Sequence, residues 1–564
     1  MYLRRLVKTP AAIRLSCVLV SMQACRNPDN SVAILCSCIL AGLLKFRQQR
    51  ACPEILYLCL LIKIPTPILQ SCVYVSLQAC QNVDCSVAFQ CFYSPPGKEL
   101  SEILKMVLGL FFAAISFFYS IVKSIYNFFF GKVHINSTDF DEGWFGRGPR
   151  PKGYSADTKT IRPFRIHISD DVLTDLRDRL EKARYEPPLE GANFSYGFNS
   201  NYLQSVVKYW KTEYDWRKHE EQLNKYPHFK TQIEGIDVHF VHVKPTLPEG
   251  SQLQVLPILI SHGWPGCFYE FYKMIPLLTT PRPDQDFVFE VVCPSIPGYG
   301  FSESPQQKGF NATAAARIFR NLMDRLGHTR FYVQGGDWGS FISTILSKHY
   351  PQRILGIHVN MLSAMPKSWD LVKAVLVAYF PSLVPPAEYK GFYPFLQRLK
   401  MILAESGYFH LQSTKPDTIG CALADSPVGL AAYILEKFST WTDKENQTSL
   451  DGNLTKKFTL DELLTIIMIY WVNNNFTASA RFYKENIGNT TPEKIPLRVP
   501  SGIAFFPNDI LMIPRWLLSR SVINLVSYNV MPRGGHFAAF EEPQLMADDI
   551  WNFVSLVQKK NLNY

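Results

Sequence analysis

Phe331 to Ser340 reads FYVQGGDWGS. An apolar run ends in two glycines, a single polar residue follows, and a bulky residue and another glycine come after it. This arrangement predicts a sharp turn between a strand and a helix, of the kind that exposes a nucleophile at the edge of an α/β sheet. The nucleophile at that place is usually a serine, whereas this chain has Asp337.

A carboxylate does different chemistry from a hydroxyl. It is already charged at neutral pH, so it needs no base before it attacks. Its attack suits an electrophilic sp3 carbon with a strained or good leaving group, and the product is an alkyl ester on the protein. Asp337 could instead cap a helix, but a cap does not require the flanking Gly335 and Gly339, which let strand and helix approach closely.

Hydrolysis of such an ester requires a base and a water molecule. The segment MPRGGHFAAFEEP supplies His536 near the C-terminus, and histidine is the side chain best suited to deprotonate water near neutral pH. The fold orders its residues as nucleophile, acid and histidine. Asp509, which follows a predicted strand, is the candidate acid; Glu541 and Glu542 are poorer candidates, since they are predicted to begin the next helix and point away.

The segment SHGWPG, Ser261 to Gly266, follows another predicted strand. Ester hydrolysis passes through an oxyanion, and each backbone N–H that binds it contributes about 3 kcal/mol. The N–H groups of Trp264 and Trp338 are the candidate donors. His262 is predicted to hydrogen-bond to the backbone rather than to act as a base.

The apolar pattern predicts an α/β fold. Strands are predicted at 255–261, 287–295, 331–334, 502–507 and 523–530, with helical segments between them. Strands that are apolar throughout indicate a parallel sheet covered on both faces. The alternation stops between 364 and 497, which is rich in proline and then helical, and this segment is predicted to be an insertion over the C-terminal edge of the sheet.

Six motifs in one order resemble the microsomal, membrane-anchored epoxide hydrolases, which include the insect juvenile hormone epoxide hydrolases. They are HGWPG, SIPGYGFSE, GGDWGS, DSPVGLAAYILEKFSTW, RFYKEN and RGGHFAAFEEP. The resemblance implies an α/β-hydrolase fold with a mostly parallel sheet, an inserted helical cap, an N-terminal wrapping segment and an N-terminal membrane anchor. It implies addition of water to an apolar epoxide, giving a vicinal diol without a metal or an organic cofactor.

The resemblance also implies that Tyr408 and Tyr483 donate the proton to the epoxide oxygen, since a ring-opened alkoxide is too basic to form unassisted. Without it, either residue among 27 tyrosines would be read as packing. The chain departs from the mammalian pattern at Asp509, where glutamate is common; the shorter side chain can still hold His536, but its reach and the rate of the hydrolytic step are expected to differ.

Two other functions remain open. A haloalkane dehalogenase shares the aspartate nucleophile and the histidine base, but it needs halide-binding donors in place of a tyrosine pair, and RFYKEN argues against it. A catalytically silent binder of lipids or hormones could have the same fold, although it would be free to lose Asp337, His536 and Asp509. The sequence does not separate a terpenoid hormone from a xenobiotic arene oxide as the substrate.

The boundaries of the domains follow from these patterns. They are 1–105, a Cys-rich duplicated extension; 106–131, a transmembrane anchor; 132–245, an N-terminal segment like that of epoxide hydrolases; 246–363, the first part of the hydrolase core; 364–497, the helical cap; and 498–564, the second part of the core. In the extension, Ser16–Cys36 and Ser71–Cys91 are identical at 14 of 21 positions. One interpretation of the extension is a Cys-rich lumenal or metal-binding module; the other, which the plausible start at Met106 favours, is a recent duplication without a selected fold.

The run MVLGLFFAAISFFYSIV, 106–122, has 17 residues without a charge, near the roughly 20 that a bilayer core requires. No cleavage site follows, so an anchor in the endoplasmic reticulum is predicted rather than a signal peptide. The excess of basic residues after the run puts the catalytic body on the cytosolic side. In the opposite orientation, the sequons at Asn193, Asn311, Asn446 and Asn475 would be glycosylation candidates.

Net charge argues against nucleic acid as a partner. The formal charge is +10, but residues 1–105 hold 11 Lys/Arg and 5 Asp/Glu, so the other 459 residues carry only +4. No basic run is interleaved with aromatic residues.

Ten of the 13 cysteines lie between Cys17 and Cys91, and the other three have no metal-ligand spacing. The sequence does not indicate an oligomeric state.

Overall fold

The sheet edge that carries Asp337 is built from segments far apart in the chain. The structure, a computed structural model, describes residues 142–150, 158–362, 395–487, 495–518 and 521–561, with single positions between 373 and 384. The predicted extension and the predicted anchor, 1–105 and 106–131, lie outside the described residues.

Within the described residues, nine strands form one sheet in the order β1-β2-β3-β5-β4-β6-β7-β8-β9. The first three strands and the β3–β5 pair are antiparallel, and all other neighbours are parallel. The strands are β1 Arg162–Phe164, β2 His228–Ile233, β3 Ile236–Val243, β4 Gln254–Ser261, β5 Phe287–Pro294, β6 Phe331–Gly335, β7 Ile354–Val359, β8 Ser501–Phe505 and β9 Leu525–Val530. The mostly parallel sheet predicted from the apolar runs is confirmed.

Central strands of this sheet are buried along their whole length, as β5, β6 and β8 show, because helices cover both faces. The helices of the described residues, from the N-terminus, are α1 Asp170–Glu181, α2 Ser200–Thr212, α3 Trp216–Leu223, α4 Ile275–Thr279, α5 Ala312–Arg325, α6 Asp337–His349, α7 Phe395–Glu405, α8 Gly407–Thr414, α9 Pro416–Asp425, α10 Pro427–Thr440, α11 Leu460–Val472, α12 Phe476–Asn486, α13 Arg515–Leu518, α14 Ala538–Glu541 and α15 Pro543–Asn561. Helix α6 packs on β4, β6 and β7, and α15 packs on β7, β8 and β9.

Helices α7 to α12 lie in sequence between β7 and β8, where the insertion was predicted. They pack on one another, with α9 and α8 against α12 and α10 against α11. The segment before β2 reaches them, because α1 and α2 contact α10. Polar contacts join the two regions: Arg179 Nη1 donates to Asp425 Oδ1 at 2.6 Å, and Tyr209 Oη donates to Asp461 Oδ1 at 2.8 Å.

In the part of the chain that the structure describes, no helix is by itself long and apolar enough to cross a bilayer. Pro416–Asp425 and Pro427–Thr440 meet that criterion only when they are taken together, and they are bent by 117°.

The register of β4, β6 and β7 sets up the site. Ser261, the last residue of β4, pairs with Gly335, and Gly335 pairs with Val359 of β7. The segments that follow these three strands therefore leave the sheet side by side. The chain order reverses at β4, which lies between β5 and β6, and such a reversal opens a crevice at the carboxyl ends of the strands.

The turn after β6 brings two backbones into close contact. Asp337 has φ of 49°, a left-handed conformation that costs a non-glycine residue about 1–2 kcal/mol. A Cβ on Gly339 would overlap the carbonyl oxygen of Ser261. The strain at Asp337 is therefore held in place by the contact between α6 and the end of β4, as predicted for the glycines of this turn.

Gly339→Ala should lower the free energy of unfolding by about 1–3 kcal/mol, since the added methyl group meets backbone that cannot rotate away. Gly407→Ala is the matched control, because a Cβ there meets no atom within 4 Å and its residue lies in helix α8. Urea denaturation followed by circular dichroism gives both values. Equal stability of the two variants would contradict the close approach.

Candidate active site

The Asp337 carboxylate lies between a backbone donor and a histidine. Trp264 N donates to Asp337 Oδ1 at 2.8 Å, and His536 Nε2 lies 3.5 Å from Asp337 Oδ2. Gly263 allows this approach, because a Cβ there would overlap Oδ1 and Cβ of Asp337. One carboxylate oxygen is thus fixed by the loop after β4, and the other faces the imidazole.

His536 is held from its other side by the predicted acid. Its Nδ1 lies 2.8 Å from Asp509 Oδ1, which also accepts from Ile510 N at 2.7 Å. The Asp509 side chain is fully buried. The aspartate therefore reaches the imidazole despite being shorter than the glutamate common in the mammalian pattern. Asp337, Asp509 and His536, which follow β6, β8 and β9, are brought together in one group.

Electrostatics favours the charged form of His536 in this state. Burial alone lowers its pKa, but the charges of Asp509 and Asp337 and the hydrogen bonds to both outweigh burial and raise the pKa of His536 to about 10. The imidazole is therefore protonated at neutral pH as long as Asp337 is a free carboxylate.

Tyr408 of α8 and Tyr483 of α12 lie over the same place. The Tyr408 ring stacks on Trp264 at 5.2 Å between centroids, and the Tyr483 ring meets Trp264 edge-on at 5.7 Å. Burial, followed by the charge of Asp337, raises the pKa of Tyr408; burial, followed by Tyr408 and then Asp337, raises the pKa of Tyr483. Both phenols thus keep their protons close to a carboxylate.

The two predicted oxyanion donors, the backbone N–H groups of Trp264 and Trp338, differ in whether they already bind Asp337. Trp264 N already binds Asp337 Oδ1. Trp338 is the second residue of α6, where a backbone N–H has no partner within its helix, and its ring packs on Tyr483 at 4.9 Å. His262 is bonded to the backbone on both sides, since Ile296 N donates to its Nε2 and its Nδ1 lies 3.0 Å from Gly263 O. That agrees with the sequence prediction.

Two buried glutamates lie near the site: Glu270, which the sequence analysis did not single out, and Glu541, which it weighed as a poorer candidate for the acid. Glu270 Oε1 accepts from Cys267 N at 2.8 Å. Glu541 accepts from the N–H groups on either side of His536, Gly535 N at 2.8 Å and Phe537 N at 2.9 Å. Glu541 ends the short helix α14 rather than beginning a helix, so that part of the prediction is wrong. Burial raises the pKa of each glutamate to about 8.

One group of potential metal ligands occurs in the described part of the chain. Ligand atoms of His242, Glu290 and His328 lie within 4.8 Å of one another. They also contact one another directly: the Nε2 atoms of His242 and His328 lie 2.6 and 3.3 Å from Glu290 Oε1, and Lys244 Nζ lies 4.0 Å from that oxygen. The lysine charge disfavours a cation there, and none of the three ligands lines the cavity beside Asp337.

Two domain families match the chain. Residues 161–271 match the family described as epoxide hydrolase N terminus, and residues 257–543 match the alpha/beta hydrolase fold family. The first range covers β1 to β4, including the helices that contact α10, and the second covers Asp337, Asp509 and His536.

Named relatives are similar over most of their length. The chain is 51% identical to epoxide hydrolase 1 of Sus scrofa over 433 residues, covering 74% of this chain and 93% of the relative. It is 47% identical to juvenile hormone epoxide hydrolase 2 of Ctenocephalides felis, covering 73% and 88%. The crystal structure of juvenile hormone epoxide hydrolase from Bombyx mori superposes with a TM-score of 0.71 at 39% identity, covering 74% of this chain and 99% of that one. The chain therefore belongs to the epoxide hydrolase family that its six motifs resemble, and it has the α/β-hydrolase fold.

Proposed function

We propose that this protein adds water to an apolar epoxide through an ester on Asp337 and releases a vicinal diol. The observation that carries the proposal is the asymmetry of the Asp337 carboxylate. Oδ1 is held by Trp264 N–H at 2.8 Å, whereas Oδ2 faces His536 Nε2 at 3.5 Å. The oxygen without a backbone donor is the better nucleophile, and the other is placed to become the ester carbonyl.

The first step opens the ring. Asp337 Oδ2 attacks one epoxide carbon, the bond from that carbon to the epoxide oxygen breaks, and the oxygen takes a proton from Tyr408 or Tyr483. The raised pKa of both phenols keeps the proton available until the alkoxide forms. The product is a hydroxyalkyl ester on Asp337 and one tyrosinate.

The second step hydrolyses the ester. His536 Nε2 takes a proton from water, whose oxygen attacks Asp337 Cγ, and the negative charge on Oδ1 is stabilised by the N–H groups of Trp264 and Trp338. The alkyl C–O bond stays intact while the acyl C–O bond breaks, and the leaving alkoxide takes the proton from His536. The proton that remains on the Asp337 carboxyl passes to His536, which returns to its protonated resting state.

Ester formation itself converts His536 into a base. Two of the groups that face His536, Asp509 and Asp337, raise its pKa. Glu270 and Glu541 are buried nearby, and the charge of His536 lowers the pKa of each. The ester cancels the charge of Asp337, so the pKa of His536 falls from about 10 toward the range where a neutral imidazole is present. The imidazole is thus protonated during alkylation, passes that proton to the tyrosinate once the ester has formed, and is then able to accept a proton from water.

Family membership favours this chemistry over dehalogenation. The two protonated phenols against Trp264 supply the acid that a departing epoxide oxygen requires and that a departing halide, a weak base, does not. A silent binder would have no need of the hydrogen bond between His536 and Asp509. The aromatic surroundings of the phenols suit an apolar substrate, and the names of the relatives include juvenile hormone epoxide hydrolases. Comparing kcat/KM for styrene oxide with that for a long-chain terpenoid epoxide would assign the substrate class.

Asp337→Asn should form no ester, while His536→Gln should form the ester and hold it, because the base acts only in the second step. Single-turnover reaction with labelled epoxide, followed by denaturation and mass spectrometry of the Asp337 peptide, measures both. Ester of wild-type yield on the Asn variant, with deamidation excluded, would disprove the nucleophile. A His536→Gln variant that fails to alkylate would assign His536 another role.

The Tyr408→Phe and Tyr483→Phe single variants should each slow alkylation but keep activity, and the double variant should lose on the order of 100-fold or more. Tyr433→Phe is the matched control, since Tyr433 also packs on Trp264, at 6.0 Å, but its hydroxyl accepts from Gln412 Nε2. Rapid-quench measurement of ester formation gives the rates. Near-wild-type alkylation in a folded double variant would show that the acid lies elsewhere.

We further propose that 106–131 anchors the protein in the endoplasmic reticulum membrane, with the catalytic body in the cytosol. The support is the uncharged run of 17 residues and the basic residues that follow it, which favour this orientation.

A chain that starts at Met106 should stay with microsomal membranes after an alkaline carbonate wash and keep full specific activity. A chain that starts after Gly131 should lose much of that retention. Protease added to sealed microsomes should digest the body in both the full chain and the Met106 chain. Protection of the body would reverse the orientation, and lost activity on removal of 1–105 would give the repeat a function.

A further inference from the structure

A small polar cavity lies beside Asp337. Its volume is about 30 Å³, and its lining includes Asp337, His536, Glu270, Gln334 and Asn360. Neither Tyr408 nor Tyr483 lines it. A volume of this size holds a water molecule but is an order of magnitude below that of a small-molecule pocket. The cavity therefore touches the nucleophile and the base without touching the groups that protonate the substrate.

Two side chains of the lining offer unused acceptors. Glu270 uses Oε1 for Cys267 N, and its Oε2 has no protein donor among the described residues. Gln334 is 1% exposed, and its Oε1 accepts no hydrogen bond, while its Nε2 donates to Asn360 Oδ1 at 3.2 Å. A buried acceptor such as Gln334 Oε1 is rarely left without a donor, and a water molecule supplies two.

We propose that this cavity holds the water that hydrolyses the Asp337 ester, and that Glu270 is a further catalytic residue whose Oε2 accepts one hydrogen of that water. The inference rests on the proposed function. One water hydrogen points to His536 Nε2 and is transferred, the other stays bonded to oxygen and is held by Glu270, and the oxygen lone pair attacks Asp337 Cγ. Gln334 assists from the cavity wall.

Nearby charges act on Glu270 in both directions. Burial raises the pKa of Glu270 to about 8, while Cys267 N–H and the charge of His536 lower it and the charge of Asp337 raises it. Ester formation removes the charge of Asp337 and then that of His536, so the two changes oppose each other. The role of Glu270 therefore rests on its place in the cavity beside Asp337 and His536.

Glu270→Gln tests the proposal, because the amide oxygen can still accept from Cys267 N while the second position becomes a donor. We expect ester formation within about twofold of wild type and hydrolysis slower on the order of 100-fold, so that the ester accumulates. Rapid-quench single turnover of a labelled epoxide separates the two rates. Glu462→Gln is the matched control: Glu462 accepts from Thr459 N at the start of α11, as Glu270 does from Cys267 N, and it does not line the cavity.

The outcomes of this experiment distinguish a catalytic role of Glu270 from a purely structural one. Hydrolysis at the wild-type rate in Glu270→Gln overturns the proposal, and so does an equal loss in both steps, which would assign Glu270 to support of the Trp264 loop alone. Gln334→Met, which removes the unpartnered amide oxygen, should slow only hydrolysis. This variant tests the water cavity if Glu270→Gln does not fold. Absence of ester on the wild-type protein would instead refute the ester mechanism itself.

Discussion

Trp264 connects the two halves of the site. Its backbone N–H holds Asp337 Oδ1, and its ring stacks on Tyr408 and meets Tyr483 and Trp441 edge-on. Trp441 in turn packs on the His536 ring at 5.0 Å. A single residue therefore positions the carboxylate through its backbone and the helical insertion through its side chain. Displacement of the loop after β4 would move the nucleophile and the phenols together.

The parallel sheet is what makes this arrangement possible with residues distributed over most of the chain. Trp264, Asp337, Asp509 and His536 each follow a different strand, and parallel strands end at one edge. The register at Ser261 and Gly335 fixes the first two to each other. The close contact of Gly339 with Ser261 then keeps Asp337 in its left-handed conformation, so the fold bears the strain that exposes the carboxylate.

The sequence alone predicts those site residues that lie in a recognisable sequence pattern or follow a known order along the chain. The apolar strands and the glycine-rich turn identify Asp337, and the order along the chain identifies His536 and Asp509. Nothing local marks Tyr408 or Tyr483, which only the family resemblance indicates, because their role depends on how α8 and α12 pack. Glu270 was missed, and Glu541 was wrongly expected to point away, for a related reason. Their oxygens bind backbone N–H groups close in sequence, but only the tertiary fold shows that those groups flank the catalytic residues.

The segment before β2 contacts the helical insertion, because α1 and α2 pack on α10. Two hydrogen bonds add to this contact, from Arg179 to Asp425 and from Tyr209 to Asp461. Helix α10 contributes Lys437 near the ring of Tyr408, 5.3 Å from its centroid. A substitution that widens the space around the phenols is thus transmitted to the N-terminal segment. We therefore expect substrate range and thermal stability to change together when α10 is altered, because one helix packs on both the N-terminal segment and the surroundings of the phenols.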